Sequence, residues 1–231
     1  MRYLFVVIIL MGVLPGSSNQ TGAFQTPNLS RARAVRANSI ISTDHPLIKI
    51  TVDSQLKYVG ELTFSLKNTS LQEVAEVQRF VFARHDKSGR VRRLFIAQFE
   101  SLLPAIKKGY SFQVKDATRL GDFDYQTDAG LFNFAQAIAA RPGAEAERTK
   151  AFLAGKGLKV DEDFMAARYA RITDPAKHHE LILFYLESLA DMGLTRAELE
   201  PGGSVVAEAE KTFKNFATRA LKKFKVFDGQ P

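Results

Sequence analysis

The sequence contains no cysteine, and this absence excludes two kinds of chemistry. No disulfide bond can form, so a packed core must supply the stability that bridges give to many secreted domains. Thiolate nucleophiles and cysteine-ligated metals are excluded as well. A chain of 231 residues is long enough to bury a core of that kind without covalent links.

The sequence motifs of several common active sites and metal sites are also missing. No G-x-S-x-G nucleophile elbow occurs, and the 4 histidines form neither H-E-x-x-H nor an i, i+4 pair. Asp122, Asp124 and Asp128 are spaced as in a calcium loop, but Thr127 and Asn133 stand where an EF-hand needs Gly and Glu. We therefore predict no catalytic residue, no metal site and no cofactor, and an enzyme is the less favoured class.

Long apolar runs are scarce, and the longest lies at the N-terminus. Arg2 precedes the run Leu4–Leu14, which small and polar residues follow. This order is typical of a secretory signal peptide, and we expect cleavage after Ala23, which removes residues 1–23. The run is shorter than the roughly 20 residues that cross a bilayer, so an uncleaved anchor is the weaker alternative. We therefore expect a secreted or periplasmic protein with no transmembrane helix after cleavage.

The net charge is +7, and the basic residues are dispersed along the chain. We interpret this charge as a solvated basic surface, and we expect no nucleic-acid partner because the protein is predicted to be exported. Residues 24–44 combine basic side chains with few large apolar ones, which predicts a disordered basic linker. Residues 45–228 then form a single folded domain.

A predicted β-hairpin, Glu73–Glu100, is the strongest structural signal in this domain. Its two strand-forming runs, Val77–Ala83 and Val91–Phe99, flank the turn sequence Asp86–Gly89. Alternating or β-rich segments predict five further strands: Ile48–Val52, Tyr58–Leu66, Tyr110–Val114, Phe164–Ile172 and Glu180–Glu187. The short connections between most of them favour antiparallel pairing.

Helical patterns follow the first five strands. Asp128 is a candidate N-cap for one helix, and Ala144–Ala154 is expected to form a second. Apolar residues from Val206 to Phe224 recur every three or four positions, which predicts a long amphipathic C-terminal helix. The predicted fold is therefore α+β, with an antiparallel sheet of about seven strands, two inserted helices and the C-terminal helix packed on the sheet.

The register of the hairpin divides its side chains between two faces of the sheet. The aromatic face, which is expected to form the core, carries Phe80, Phe82, Phe95, Ala97 and Phe99. The mixed face carries Val77, Arg79, Val81, Leu94, Ile96, Gln98 and Glu100. We expect Leu62 and Phe64 on the aromatic face. Because aliphatic residues remain on the mixed face, a curled sheet, a partner subunit or a ligand must cover part of it.

Polar residues of the mixed face and of the strands beside it are the candidate ligand-binding residues. They are Arg79, Gln98, Glu100, Arg168, Tyr185 and Glu187. In this hypothesis Arg79 or Arg168 binds an anionic or carbonyl-bearing ligand in a pocket with polar side chains at its base. Ordinary ion pairs on a half-exposed sheet are the structural alternative.

These observations predict an exported, non-catalytic protein that binds a small molecule or a cell-envelope protein through the mixed face. Two alternatives stay open. A cell-envelope hydrolase would use a carboxylate pair such as Glu100 and Glu187 as acid and base. A structural interaction module would instead present a flat apolar patch and form a homodimer.

Overall fold

The computed structural model describes residues 32–112, 116–200, 203 and 209–229, so the expected signal peptide lies outside the described residues. The strands of the described residues are β1 Arg33–Arg36, β2 Ser39–Ser42, β3 Ile48–Val52, β4 Lys57–Lys67, β5 Glu73–His85, β6 Arg90–Leu102, β7 Ala117–Leu120, β8 Phe123–Asn133, β9 Lys159–Val160, β10 Asp163–Ile172, β11 His179–Ser188 and β12 Phe224–Asp228. The helices are α1 Phe134–Ala140, α2 Glu145–Gly155, α3 Arg196–Leu199 and α4 Ala209–Ala220.

Most strands belong to one large sheet. Its 8 strands follow the order β4, β5, β6, β11, β10, β8 and β7, with the short β9 beside β6. Neighbours along this path are antiparallel, and β9 alone runs parallel to its partner. The mixed α+β class with antiparallel sheets is therefore confirmed, although the sheet is larger than the predicted seven strands.

A second, 4-stranded sheet has the order β1, β2, β3 and β12. Its first hairpin corrects the expected linker of residues 24–44, because Arg33–Ser42 pairs as β1 and β2. The physical reason is Ile40, which is fully buried beside Ile48 and Ile50 in the main core. The composition of residues 24–44 as a whole, which is basic and poor in large apolar side chains, does not reveal the importance of this single isoleucine.

The aromatic face of the large sheet packs on the small sheet and on α4. The buried cluster between them joins Phe80 and Phe95 to Ile50 of the small sheet. Phe216 of α4 stacks on Tyr185, with ring centroids 5.8 Å apart. The prediction that the aromatic face forms the core is confirmed. The small sheet, which the sequence analysis does not predict, forms part of the layer that covers this face.

The hairpin β5–β6 has the predicted parity, with even positions of one strand opposite odd positions of the other up to a register shift at His85. Phe82 lies opposite Phe95, and Arg79 lies opposite Gln98. The predicted division of hairpin side chains between the aromatic and mixed faces is therefore confirmed.

The placement of β4 on these faces was predicted wrongly. Leu62 lies opposite Arg79, and Phe64 lies opposite Val77, so both side chains belong to the mixed face. A bulge beginning after Tyr58 shifts the register of β4. Alternation within one strand gives its two faces but does not say which of them meets the neighbour's core.

Two predicted elements in the middle of the chain are also corrected. Tyr110–Phe112 belong to no strand, and residues 113–115 of the predicted strand lie outside the described residues. The first helix is not capped by Asp128, because β8 continues to Asn133. The side chain of Asn133 accepts a hydrogen bond from the backbone N–H of Gln136 at 2.7 Å and so caps α1.

Helices α1 and α2 cover the aliphatic half of the mixed face. Phe134 of α1 and Leu153 of α2 are buried with Val81, Ile96 and Phe164 of the sheet. The sequence predicts that something covers this half of the mixed face, and these two helices of the same chain do so.

The predicted C-terminal helix is present over Ala209–Ala220, but its predicted extension to Phe224 is wrong. The described helix α4 ends at Ala220, a 3₁₀ turn spans Leu221–Lys223, and β12 follows. In β12 burial alternates, since Val226 is buried while Lys225 is exposed. The period of two beyond Ala220 thus belongs to a strand, and residues 204–208 of the predicted helix lie outside the described residues.

Gly60, at the β4 bulge, is expected to tolerate no side chain. Its φ is +145°, and a Cβ there would lie 3.0 Å from the ring of Phe152 in α2. Gly60→Ala should therefore lower the free energy of unfolding by about 3 kcal/mol, measured by urea denaturation. Gly157→Ala is the control: its φ of +75° is also unfavourable, but its Cβ would meet open space, and a loss of about 1 kcal/mol is expected. Equal losses in the two variants would show that the contact with Phe152 is unimportant.

Candidate functional site

The remaining half of the mixed face holds a group of polar side chains that we call the polar cluster. Its members come from β5, β6, β10, β11 and the segment after β6, and they are Arg79, Gln98, Glu100, Tyr110, Arg168 and Glu180. All of them are at least nine-tenths buried. Charged groups so far from water need partners, and their hydrogen bonds show which partners they have.

Arg79 links the strands to helix α2. Its Nε donates to Gln98 Oε1, while Nη1 donates to Thr149 Oγ1 at 2.6 Å and to the carbonyl oxygen of Glu145 at 3.1 Å. Burial lowers the pKa of Arg79 to about 10, and the nearby carboxylates of Glu145 and Glu100 oppose this shift. The guanidinium therefore stays charged at neutral pH.

The hydrogen-bonded chain continues from Gln98 to Glu100. The Gln98 side-chain amide donates to Glu100 Oε1, and the hydroxyl of Tyr110 donates to Glu100 Oε2 at 3.2 Å. Burial raises the pKa of Tyr110, and the charge of Glu100 raises it further, so this phenol remains a donor. Both oxygens of Glu100 thus have a partner.

Arg168 forms the second half of the polar cluster. Its Nη2 donates to Glu180 Oε1 at 3.2 Å, and its Nη1 lies 3.6 Å from Asp128 Oδ2. The ring of Phe112 lies over the guanidinium, with its centroid 5.9 Å from Cζ. The side chain of Asp128 is 45% exposed, so the polar cluster approaches the surface at this end.

The central feature is a pair of carboxylates. Glu100 and Glu180 occupy directly opposed positions on β6 and β11, and their side chains therefore lie on the same face. Burial raises the pKa of both groups, and the charge of Glu100 raises that of Glu180 further. Such a pair retains a proton to higher pH than an isolated glutamate does.

Counting charges shows why a proton is held here. Fully ionised, the buried Glu100 and Glu180 would face the buried Arg79 and Arg168, while the carboxylates of Glu145 and of the half-exposed Asp128 would add negative charge at the edge of the site. Negative charge would therefore exceed positive charge around the buried pair. A shared proton, or a cation that replaces it, restores the balance.

Four of the six residues predicted from the sequence lie together in the polar cluster: Arg79, Gln98, Glu100 and Arg168. Tyr185 and Glu187 do not, because they stand opposite Phe95 and Arg93 and so belong to the aromatic face. Their strand, β11, does border the polar cluster, but through residues of the other parity such as Glu180. Whether any of the six binds a ligand stays a prediction.

Tyr185 and Glu187 form a separate connection between the large sheet and α4. The Tyr185 hydroxyl donates to Glu187 Oε1 at 2.6 Å. Arg93 Nε lies 3.4 Å from the same carboxylate, and Arg219 of α4 donates to its other oxygen at 3.1 Å. This arrangement anchors the helix on the sheet. It also separates Glu187 from Glu100, so these two residues cannot act as an acid–base pair.

Glu180 and Tyr110 are the members of the polar cluster that sequence analysis missed. Glu180 precedes a segment of β11 that is apolar at both odd and even positions. The sequence pattern therefore does not show which face of the sheet the Glu180 side chain occupies. Placing it required the pairing of β11 with β6, which joins residues about 80 positions apart. Tyr110 falls in a segment, Tyr110–Val114, whose pattern predicts a strand.

No family model, curated protein or solved structure matches this chain. Among the helices in the described part of the chain, none is both long and apolar enough to cross a membrane.

The carboxylate pair should make stability depend on pH. Because the folded state raises the pKa of Glu180 above its ordinary value of 4.5, the folded protein holds a proton that the unfolded chain releases. This stabilisation is complete below that value and is lost as pH rises through the folded pKa. Between about pH 5 and pH 8, the unfolding free energy of the wild type should fall relative to Glu180→Gln, by at most about 1.4 kcal/mol per pH unit.

Urea denaturation across this range measures the difference. Glu73→Gln, at an exposed position in β5, is the control and should differ from the wild type by a constant amount. A constant difference for Glu180→Gln as well would show that the pair holds no extra proton.

Proposed function

We propose that this chain is an exported, non-catalytic protein that binds a small ligand at the polar cluster. The observation that carries the proposal is the buried opposition of Glu100 and Glu180. Burying two like charges side by side costs stability, and hydrophobic residues would fill the same positions without that cost. Groups retained against such a cost are concentrated at functional sites.

The hydrogen bonds of the polar cluster favour a ligand that donates hydrogen bonds or carries positive charge. Arg79 and Arg168 already have carboxylate, amide or hydroxyl partners, which argues against an anionic ligand as their main occupant. The unbalanced negative charge of the carboxylates is what a ligand can still compensate. An amine, or a molecule with several hydroxyl groups, fits this requirement.

The end of the polar cluster at Asp128 is the expected point of access. Asp128 is half-exposed, and Ser111 beside Phe112 is exposed as well. The other end is closed, because Thr149 and the backbone of α2 cover Arg79. A ligand would therefore contact Asp128 and Arg168 first and reach Glu180 behind them.

Native mass spectrometry of the mature protein, purified from its own cell envelope, tests the proposal. Export predicts a chain mass that corresponds to cleavage after Ala23. Ligand binding predicts an additional mass in the native spectrum that disappears on denaturation. Glu180→Gln should lose this mass, because it removes the negative charge that the ligand compensates, whereas the exposed Glu73→Gln should keep it.

Two results would count against the proposal. A folded wild-type protein without removable mass would refute a tightly held ligand. A removable mass that Glu180→Gln retains would place the ligand elsewhere.

The carboxylate pair also favours a second class, a hydrolase that uses Glu100 and Glu180 as acid and base. A carboxyl group with a raised pKa is what general acid catalysis requires. Hydrolysis of a panel of 4-nitrophenyl glycosides and esters separates the two classes. We expect no turnover, and turnover that disappears in both Glu100→Gln and Glu180→Gln would favour the hydrolase.

A further inference from the structure

A cavity of about 420 Å³ lies on the other side of the large sheet, toward the small sheet. Its walls come from the connection between β2 and β3, the β7–β8 turn and the ends of β10 and β12. The lining residues are Thr43–Leu47, Phe123, Arg171, Thr173, Asp228 and Gly229. Its volume falls within the range of about 300–1,000 Å³ that small-molecule sites occupy in proteins.

One side of the cavity is apolar and open to water. Leu47 is 47% exposed and Phe123 is 46% exposed. The large apolar side chains that the described residues expose are Leu47, Tyr58, Leu71, Phe123 and Phe227, so two of five meet at this cavity. Exposed apolar side chains scattered singly need no explanation, but two that line one cavity provide a contact surface for an apolar ligand.

The opposite side carries Arg171, whose charge is already neutralised. Its Nη2 donates to Asp228 Oδ1 and its Nε donates to the Tyr125 hydroxyl, both at 2.9 Å. The ring of Phe123 covers the guanidinium at 4.0 Å from Cζ. Nη1 of Arg171 makes no hydrogen bond to any described residue, so this nitrogen can still donate one to a ligand.

Thr173 provides a second unused polar group, two residues further along the chain. Its Oγ1 is buried and has no hydrogen-bond partner among the described residues. A rotation about χ1 that presents this hydroxyl to a ligand in the cavity breaks no hydrogen bond, so the bond to the ligand is a net gain.

The charges of the lining exclude a strongly ionic ligand. Arg171 and Asp228 compensate each other, and the remaining acid, Asp44, lies 3.9 Å from His45 Nε2 and is exposed to water. A net anion would find no free cation, and Asp44 alone is screened by solvent.

We propose that this cavity binds a neutral, planar apolar small molecule that carries a hydrogen-bond-accepting oxygen. The apolar part contacts Leu47 and Phe123, and the oxygen accepts hydrogen bonds from Arg171 Nη1 and Thr173 Oγ1. The site is separate from the polar cluster, since Arg171 stands opposite Leu181 on the aromatic face, whereas Arg168 belongs to the mixed face. The inference therefore does not rest on the ligand proposed there.

The dye Nile red, which is neutral and planar and carries one carbonyl oxygen, is a suitable probe. Titration of the full mature chain should give saturable fluorescence with one site per chain. Phe123→Ala and Leu47→Ala should each weaken Kd by about tenfold, because each removes apolar contact area. Thr173→Val keeps the shape of the side chain and should weaken Kd by about fivefold through loss of the hydroxyl.

Phe227→Ala is the matched control. Phe227 is 50% exposed on the neighbouring strand β12 but does not line the cavity, so this variant should bind the dye like the wild type. Because Leu47 and Phe123 are exposed, both substitutions should preserve the fold, and thermal unfolding of each variant checks this.

Three outcomes would overturn the proposal. The first is dye binding that neither Phe123→Ala nor Leu47→Ala weakens. The second is equal weakening by Phe227→Ala, which would indicate non-specific adsorption. The third is a concentration-dependent dimer in sedimentation velocity that Phe123→Ala dissociates, which would make this face an interface between copies. Glu180→Gln should leave dye binding unchanged, so failure at the polar cluster and failure here are distinguishable.

Discussion

The register between β5, β6 and β11 is the constraint on which the rest of the structure depends. Side chains alternate strictly along a strand, so the choice that buries Phe80, Phe82 and Phe95 on one face also fixes what the other face receives. Arg79 and Glu100 are placed on that other face by the phenylalanines, and pairing with β11 brings Glu180 beside them. A slip of one residue would move these charges into the aromatic core, where no partner could compensate them.

The cover over the mixed face follows from this division. Over the aliphatic half, α1 and α2 supply apolar side chains such as Leu153. Over the polar half, α2 supplies Thr149 and a backbone carbonyl, and the segment after β6 supplies the hydroxyl of Tyr110. The segments that cover the mixed face are therefore apolar over its aliphatic half and polar over its polar half. Within the polar cluster, burial raises the pKa of Glu100 and of Glu180, and the charge of Glu100 raises that of Glu180 further.

Much of the sheet could be predicted because its strands carry strong local patterns. The hairpin needed only the turn at Asp86–Gly89 and the alternation on either side of it, and the predicted division of its side chains between two faces agrees with the structure. The same reasoning failed for β4, whose bulge at Gly60 leaves no mark in the alternation. It failed also for the start of β12, because the helical pattern was extended to Phe224. Local periodicity predicts elements, and long-range pairing decides their faces.

The candidate site divides in the same way. Arg79, Gln98 and Glu100 come from one hairpin and could be grouped from the sequence. Glu180 joins them only through the pairing of β11 with β6. The lining of the cavity between the sheets draws on segments from Thr43 to Gly229, and no single stretch of sequence carries its signature. Sites that a hairpin assembles are thus visible in the sequence, whereas sites assembled by distant segments are not.

The pairing of β3 with β12 has a consequence for the order in which the molecule can fold. Val52 meets Phe224, so the small sheet is completed only after almost the whole described chain has been synthesised. Until then β3 has an unpaired edge, and the phenylalanines of the large sheet lack part of the layer that buries them. Contacts between such distant segments slow folding. The large sheet can therefore form first, but its aromatic face is fully covered only when β12 pairs with β3.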